Sequence, residues 1–232
     1  MRANPNFAPK FYLRVPFMRI QSKLRLAILA LLLISGAVVV TAVIYEESEI
    51  KAEQHSQYRL TAQERALLKP GDIILRRGYG LVSRMIATKL DGKYALSHCG
   101  VVVQVNNELH VVHCLSSDYS EIDGVQTHEL QAFVKQSRPG SLVVNRLNDS
   151  TLHQPFVQAV MRYLHEGRKF DHDFDIFENE KIYCTELVWL ALKDAANLDV
   201  YEGLYETDHG WYSFDALFNA AHFSTILNHQ EP

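Results

Sequence analysis

Twenty consecutive residues, Leu26 to Tyr45, carry no charge and are mostly Leu, Ile, Val and Ala. The run is apolar all round and lacks the single stripe of a core helix. Its length matches the ~20 residues that cross a bilayer as a helix. Residues 46–66 are polar and charged and read as a helical stalk or linker. From residue 67 onward the pattern breaks into short segments. Ile73-Ile74-Leu75 follows the turn Pro70-Gly71-Asp72 and predicts a strand, and Leu81 to Leu90 predicts a helix before an Asp91-Gly92 turn. Two β-branched runs, His98 to Val105 and Glu108 to Cys114, predict strands. Ile122 to Val134 predicts a further strand and a short helix, Ser141 to Arg146 a strand, and Phe156 to His165 an amphipathic helix. Phe170 to Lys181 reads as a polar, aromatic-rich loop. The segment after Cys184, apolar at Leu187, Val188, Leu190, Ala191 and Leu192, reads as a buried helix. Trp211 to Leu227 predicts another helix and packing segment.

Asn106-Asn107 separates the two β-branched runs, and asparagine tolerates the positive φ that a two-residue hairpin turn demands. A two-residue turn there sets Gly100 opposite His113 and Cys99 opposite Cys114. Side chains alternate along a strand, so His98, Gly100 and His113 share one face. Cys99 and Cys114 share the other, as packed thiols or as a strained disulfide. His98 and His113 become diagonal neighbours within reach of each other.

Charge changes the picture at the N-terminus. Residues 1–25 hold six basic groups and no acid, which leaves 17 basic groups against all 27 acids from Glu46 on, a balance of −10. The asymmetry predicts a single-pass inner-membrane protein: a basic cytoplasmic tail over 1–25, an anchor over 26–45, and residues 67–232 on the periplasmic side. A cleaved signal peptide ending near Val40-Thr41-Ala42 is the competing reading. The acidic body argues against a nucleic-acid partner. The three cysteines are too few for a disulfide scaffold.

The candidate chemistry lies in Cys184 and His98. A cysteine is nucleophilic as its thiolate, and a helix N-terminus or a nearby imidazolium generates one. Cys184 is placed at a helix start. His98 opens a strand, with His113 beside it to fix its orientation, so Cys184, His98 and His113 form a candidate nucleophile, base and orienting group. A shared zinc site for the His-Cys neighbours is ruled against, because adjacent strand residues point to opposite faces. Asp171-His172-Asp173-Phe174-Asp175 hints at a calcium loop. It lacks glycine at the sixth position (Ile176) and glutamate at the twelfth (Ile182), and reads as a solvated loop. No cofactor or metal is called for.

On these residues the chain resembles the circularly permuted papain-fold cysteine hydrolases, the YiiX/YebB-like branch of the NlpC superfamily. The resemblance covers Pro70 to Trp189. It rests on Pro70-Gly71-Asp72-Ile73-Ile74, Ser97-His98-x-Gly100-Val101-Val102, Phe170-Asp171 and Tyr183-Cys184-Thr185-Glu186-Leu187-Val188. It implies an α+β fold, a permuted papain-like (NlpC-type) domain whose small antiparallel sheet packs on the nucleophile helix; the apolar run over 26–45 adds one preceding transmembrane helix. The resemblance also implies Cys184 as nucleophile and His98 as base. The third polar position falls on His113, where this branch often has glutamate. Tyr183 is a candidate substrate wall or donor. The implied activity is acyl transfer at an amide or ester bond. Cell-wall peptide is the leading substrate class, with a lipid acyl ester or a silent membrane-bound binding module as alternatives.

Overall fold

The computed structural model describes residues 17–90, 92–175, 177–202 and 212–231. Most of the basic tail, Asp91 of the expected turn, Ile176 and Trp211 lie outside them. The described chain divides after Ile44 into two units. Helix α1 (Phe17–Gln54) contains a stretch long and apolar enough to cross a membrane.

The second unit, from Tyr45 on, is built on a six-stranded antiparallel sheet. Its strands are β1 (Ile73–Arg76), β2 (His98–Val105), β3 (Glu108–Leu115), β4 (Gly124–Glu129), β5 (Val143–Leu147) and β8 (Phe223–Asn228), in the order β4-β3-β2-β1-β5-β8. Two residues each of β6 (Lys169–Phe170) and β7 (Lys181–Ile182) form a separate parallel pair. The helices are α2 (Ala62–Leu67), α3 (Gly80–Leu90), α4 (Leu130–Lys135), α5 (His153–Glu166) and α6 (Cys184–Ala196). The α+β expectation holds, with a wider sheet than the sequence suggests.

Strand alternation sorts the core into two layers. Ile73, Leu75, Cys99, Val101, Val103, Val112 and Cys114 face α5 and α6. Ile74, Val102, Val111 and Val144 face the other way, onto Phe133 and Val134 of α4 and onto Leu60. Residues 46–66, read above as a stalk, thus give Leu60 to a core layer, and Glu49 and Ser56 are also buried. The expected tail helix over 211–227 is a short 3₁₀ turn (Phe214–Phe218) followed by strand β8, which pairs with β5.

The hairpin register is the one the sequence predicts. Gly100 pairs with His113, and Val105 with Glu108, across a turn in which Asn106 (φ 50°) and Asn107 (φ 66°) are both left-handed. Gly100 is required by its surroundings. A Cβ there would lie 2.5 Å from Val111 Cγ1, 2.8 Å from the Val112 carbonyl oxygen and 3.0 Å from His113 Cβ. The start of β1 is fixed by Asp72, whose carboxylate takes Arg146 Nε at 2.6 Å, Arg146 NH2 at 2.8 Å and the Lys69 N–H at 2.7 Å.

Candidate active site

Cys184 is the first residue of α6, and every residue from Thr185 to Leu192 is buried. That packing sets the helix start against the beginning of β2. Tyr183 precedes the helix in an extended conformation, and its N–H donates to Glu186 Oε2 at 3.0 Å. Cys184 is partly exposed, whereas Cys99 and Cys114 are buried, and all three are free thiols.

His98 Nε2 and His113 Nδ1 are 2.8 Å apart. Nε2 is thereby occupied, which leaves Nδ1 for Cys184, and the two side chains are hydrogen-bonded. The structure therefore brings Cys184, His98 and His113 together. Hydrogen bonding with Cys99 holds the Cys184 thiol well below the ordinary cysteine range. The hydrogen bond and charge of His98 add to this, as does the Cys99 backbone N–H, all against the cost of burial. Burial pushes the His98 ring below the ordinary histidine value, and the hydrogen bond and charge of Cys184 offset this only in part. His113 lies well below the usual histidine value, through burial first and then the charges of His98, His128 and Arg76. It is a neutral imidazole, with one donor nitrogen and one acceptor.

Tyr183 is 5% exposed. Its hydroxyl accepts the Tyr212 N–H at 3.0 Å, and its ring packs against Phe174 and Tyr212. It braces the helix start from inside and offers little surface to a substrate. Asp171, expected in a solvated loop, is 1% exposed. Its carboxylate accepts the N–H groups of Asp173 (2.9 Å) and Asp175 (2.7 Å), which folds the loop ahead of β7 onto itself.

Three neighbours of the site escape the sequence reading. Cys99, placed by alternation on the far face, donates its S–H to the Cys184 carbonyl oxygen at 3.3 Å. The reason is that α6 packs on that same far face, so its first residue meets Cys99 as well as His98. Arg76 ends β1 directly opposite His98. Its guanidinium stacks 4.6 Å over the Phe133 ring, hydrogen-bonds the Gln136 carbonyl, and leaves Nε buried without a partner. Burial lowers Arg76 to about 10. The third is His128 on β4, whose Nδ1 lies 3.2 Å from His113 Nε2. The strand spacing that pairs His98 with His113 also brings in His128, once Val111 is known to face it across the β3–β4 ladder.

Comparison with known proteins bears on the family and the fold. The uncharacterized protein YiiX of Escherichia coli strain K12 is 26% identical over 135 residues, which are 57% of this chain and 61% of YiiX. The chain thus spans about three-fifths of that relative's length. The crystal structure of the metalloprotein YiiX from Escherichia coli O157:H7 has the same fold, with a TM-score of 0.54 and 22% identity over 69% of this chain and 97% of that one. A family model described as a permuted papain-like amidase enzyme, YaeF/YiiX, C92 family, matches residues 67–216. The chain belongs to that family of permuted papain-like amidases.

Proposed function

We propose that this protein is a membrane-anchored cysteine hydrolase that cleaves an amide bond by acyl transfer, with cell-wall peptide as its substrate. The observation that carries the reading is Cys184: a depressed thiol at a helix start, hydrogen-bonded to His98, whose other ring nitrogen is held by His113. The Cys184 thiolate attacks the substrate carbonyl carbon. The oxyanion is met by the Cys184 backbone N–H, which has no acceptor within the helix. His98 Nδ1 gives its proton to the leaving nitrogen, and the acyl-enzyme forms. Water then attacks the thioester, His98 takes its proton, and the thiolate leaves.

YiiX of the O157:H7 strain is described as a metalloprotein. In this chain the donors do not fit a shared ion. Among the described residues no three His, Cys, Asp or Glu side chains form a group that could hold one, and the three histidines stand in a file, ring nitrogen to ring nitrogen. No step is routed through a metal.

Limited iodoacetamide treatment of the folded protein at neutral pH, followed by mapping of the alkylated residue, tests the reading. Cys184 reacts first. Burial raises Cys99 and Cys114 well above the ordinary thiol range and keeps them unreactive. Alkylation of Cys99 or Cys114 ahead of Cys184 would overturn the assignment.

A further inference from the structure

His98, His113 and His128 occupy three adjacent strands and form a continuous file from the nucleophile outward. The two inner rings are buried and His128 is partly exposed. His113 is fully buried, so both its nitrogens need protein partners, and these are His98 Nε2 and His128 Nδ1. Phe133 of α4 closes the side, its ring lying 5.3 Å from that of His113 and 5.8 Å from that of His98.

We infer that His128 is a positioning residue for the reaction: by accepting the proton of His113 Nε2 it locks the file in the one tautomer that lets His98 stand protonated beside the Cys184 thiolate. The inference rests on the Cys184–His98 reading above. The proton count permits only this arrangement. A protonated His98 carries N–H on both nitrogens, so Nε2–H donates to His113 Nδ1. The neutral His113 then bears its proton on Nε2 and donates to His128 Nδ1, and His128 keeps its own proton on Nε2. Without an acceptor at 128, the buried His113 N–H is stranded. The ring relieves this by moving its proton to Nδ1, where it points at His98 Nε2 and requires that nitrogen to be bare. His98 then loses its charge, and the thiolate loses the partner that stabilises it. The groups acting on His128 are His113 of β3, His98 of β2 and Arg76 of β1, while Phe133 of α4 is uncharged. Arg76 in turn faces Glu53. None of these offers His113 Nε2 another acceptor.

The test is the pH profile of Cys184 alkylation by iodoacetamide, in the full chain held in detergent micelles. His128→Val keeps a strand-forming side chain and removes the acceptor. The alkylation rate below the wild-type midpoint falls about three- to tenfold, the loss of one hydrogen bond to a charged chain, and the midpoint moves to higher pH. His128→Asn places Oδ1 where Nδ1 stood and restores the wild-type profile to within about twofold, because an amide oxygen accepts the same proton. A His128→Val profile superimposable on wild type overturns the inference, and so does a His128→Asn profile shifted as far as that of His128→Val. Failure of the underlying reading looks different. The wild-type protein would then titrate as an ordinary thiol, unchanged by His98→Ala.

Discussion

Glu186 is a carboxyl group buried three residues into α6. One oxygen accepts the Tyr183 N–H and the other has no partner among the described residues. Burial first, and then the nearby charges of Asp171 and Cys184, push it up to about 8 from an ordinary value of 4.5. The folded state therefore holds this proton more tightly than the unfolded chain does. The stability is fully present below pH 4.5 and is lost as pH rises toward 8. At ~1.36 kcal/mol per pH unit the whole displacement is worth about 5 kcal/mol. That is as much as the net stability of many domains, which runs ~5–15 kcal/mol. Glu186→Gln removes the titration. It leaves an amide N–H in place of the unpartnered oxygen, at a pH-independent cost of ~1–3 kcal/mol. The variant is therefore level with or below wild type near pH 4.5 and overtakes it above neutrality. The difference between them swings by about 3–5 kcal/mol from pH 5 to pH 9. The depressed Cys184 titrates with the opposite sign, adding stability as pH rises, but it is common to both proteins and largely cancels in the difference. Urea unfolding in micelles, followed by tryptophan fluorescence at a series of pH values, measures the swing. A difference that stays flat between pH 5 and 9, or in which wild type gains on the variant, would refute the reasoning.

Gly100→Ala drives a methyl group into Val111 and the Val112 carbonyl and against His113. It costs ~1–3 kcal/mol, lowers Tm by roughly 3–10 °C, and slows Cys184 alkylation by displacing His113 from His98. Unchanged melting together with unchanged alkylation would contradict the close strand approach. An alkaline phosphatase joined after Pro232 is expected to be active, because the basic N-terminal flank predicts that residues 67–232 lie beyond the membrane. Activity of a cytoplasmic reporter at that position would reverse the topology.

The meeting of Cys184, His98 and His113 and the β2–β3 register were legible in sequence because each rests on local rules. A two-residue Asn-Asn turn admits one pairing, and an apolar run after a cysteine admits a buried helix. Arg76 and His128 were not legible. Their membership in the site depends on which strands adjoin β2 and β3, and that is set by long-range pairing. Cys99 was assigned to the correct face of the sheet but to the wrong neighbourhood, because alternation cannot say that α6 covers that face and begins there. β8 was read as helix. Phe223-Ser-Thr-Ile-Leu-Asn is a short stretch whose pairing with β5, and nothing local, makes it a strand.

His98, His113 and His128 are spaced fifteen residues apart, one on each rung of a meander. Each step includes a turn, but only the first is short enough to fix the chain length between its two rings. The turn at Asn106-Asn107 has no slack: one inserted residue would carry either His98 or His113 to the opposite face of the sheet. The connection from Ser116 to Asp123 is longer, and its Tyr119 and Ile122 side chains project into solvent. Length variation among descendants of this domain should therefore collect between Ser116 and Asp123 and be purged from the Asn-Asn turn, so that the domain changes shape at its rim without changing the spacing of His98 and His113.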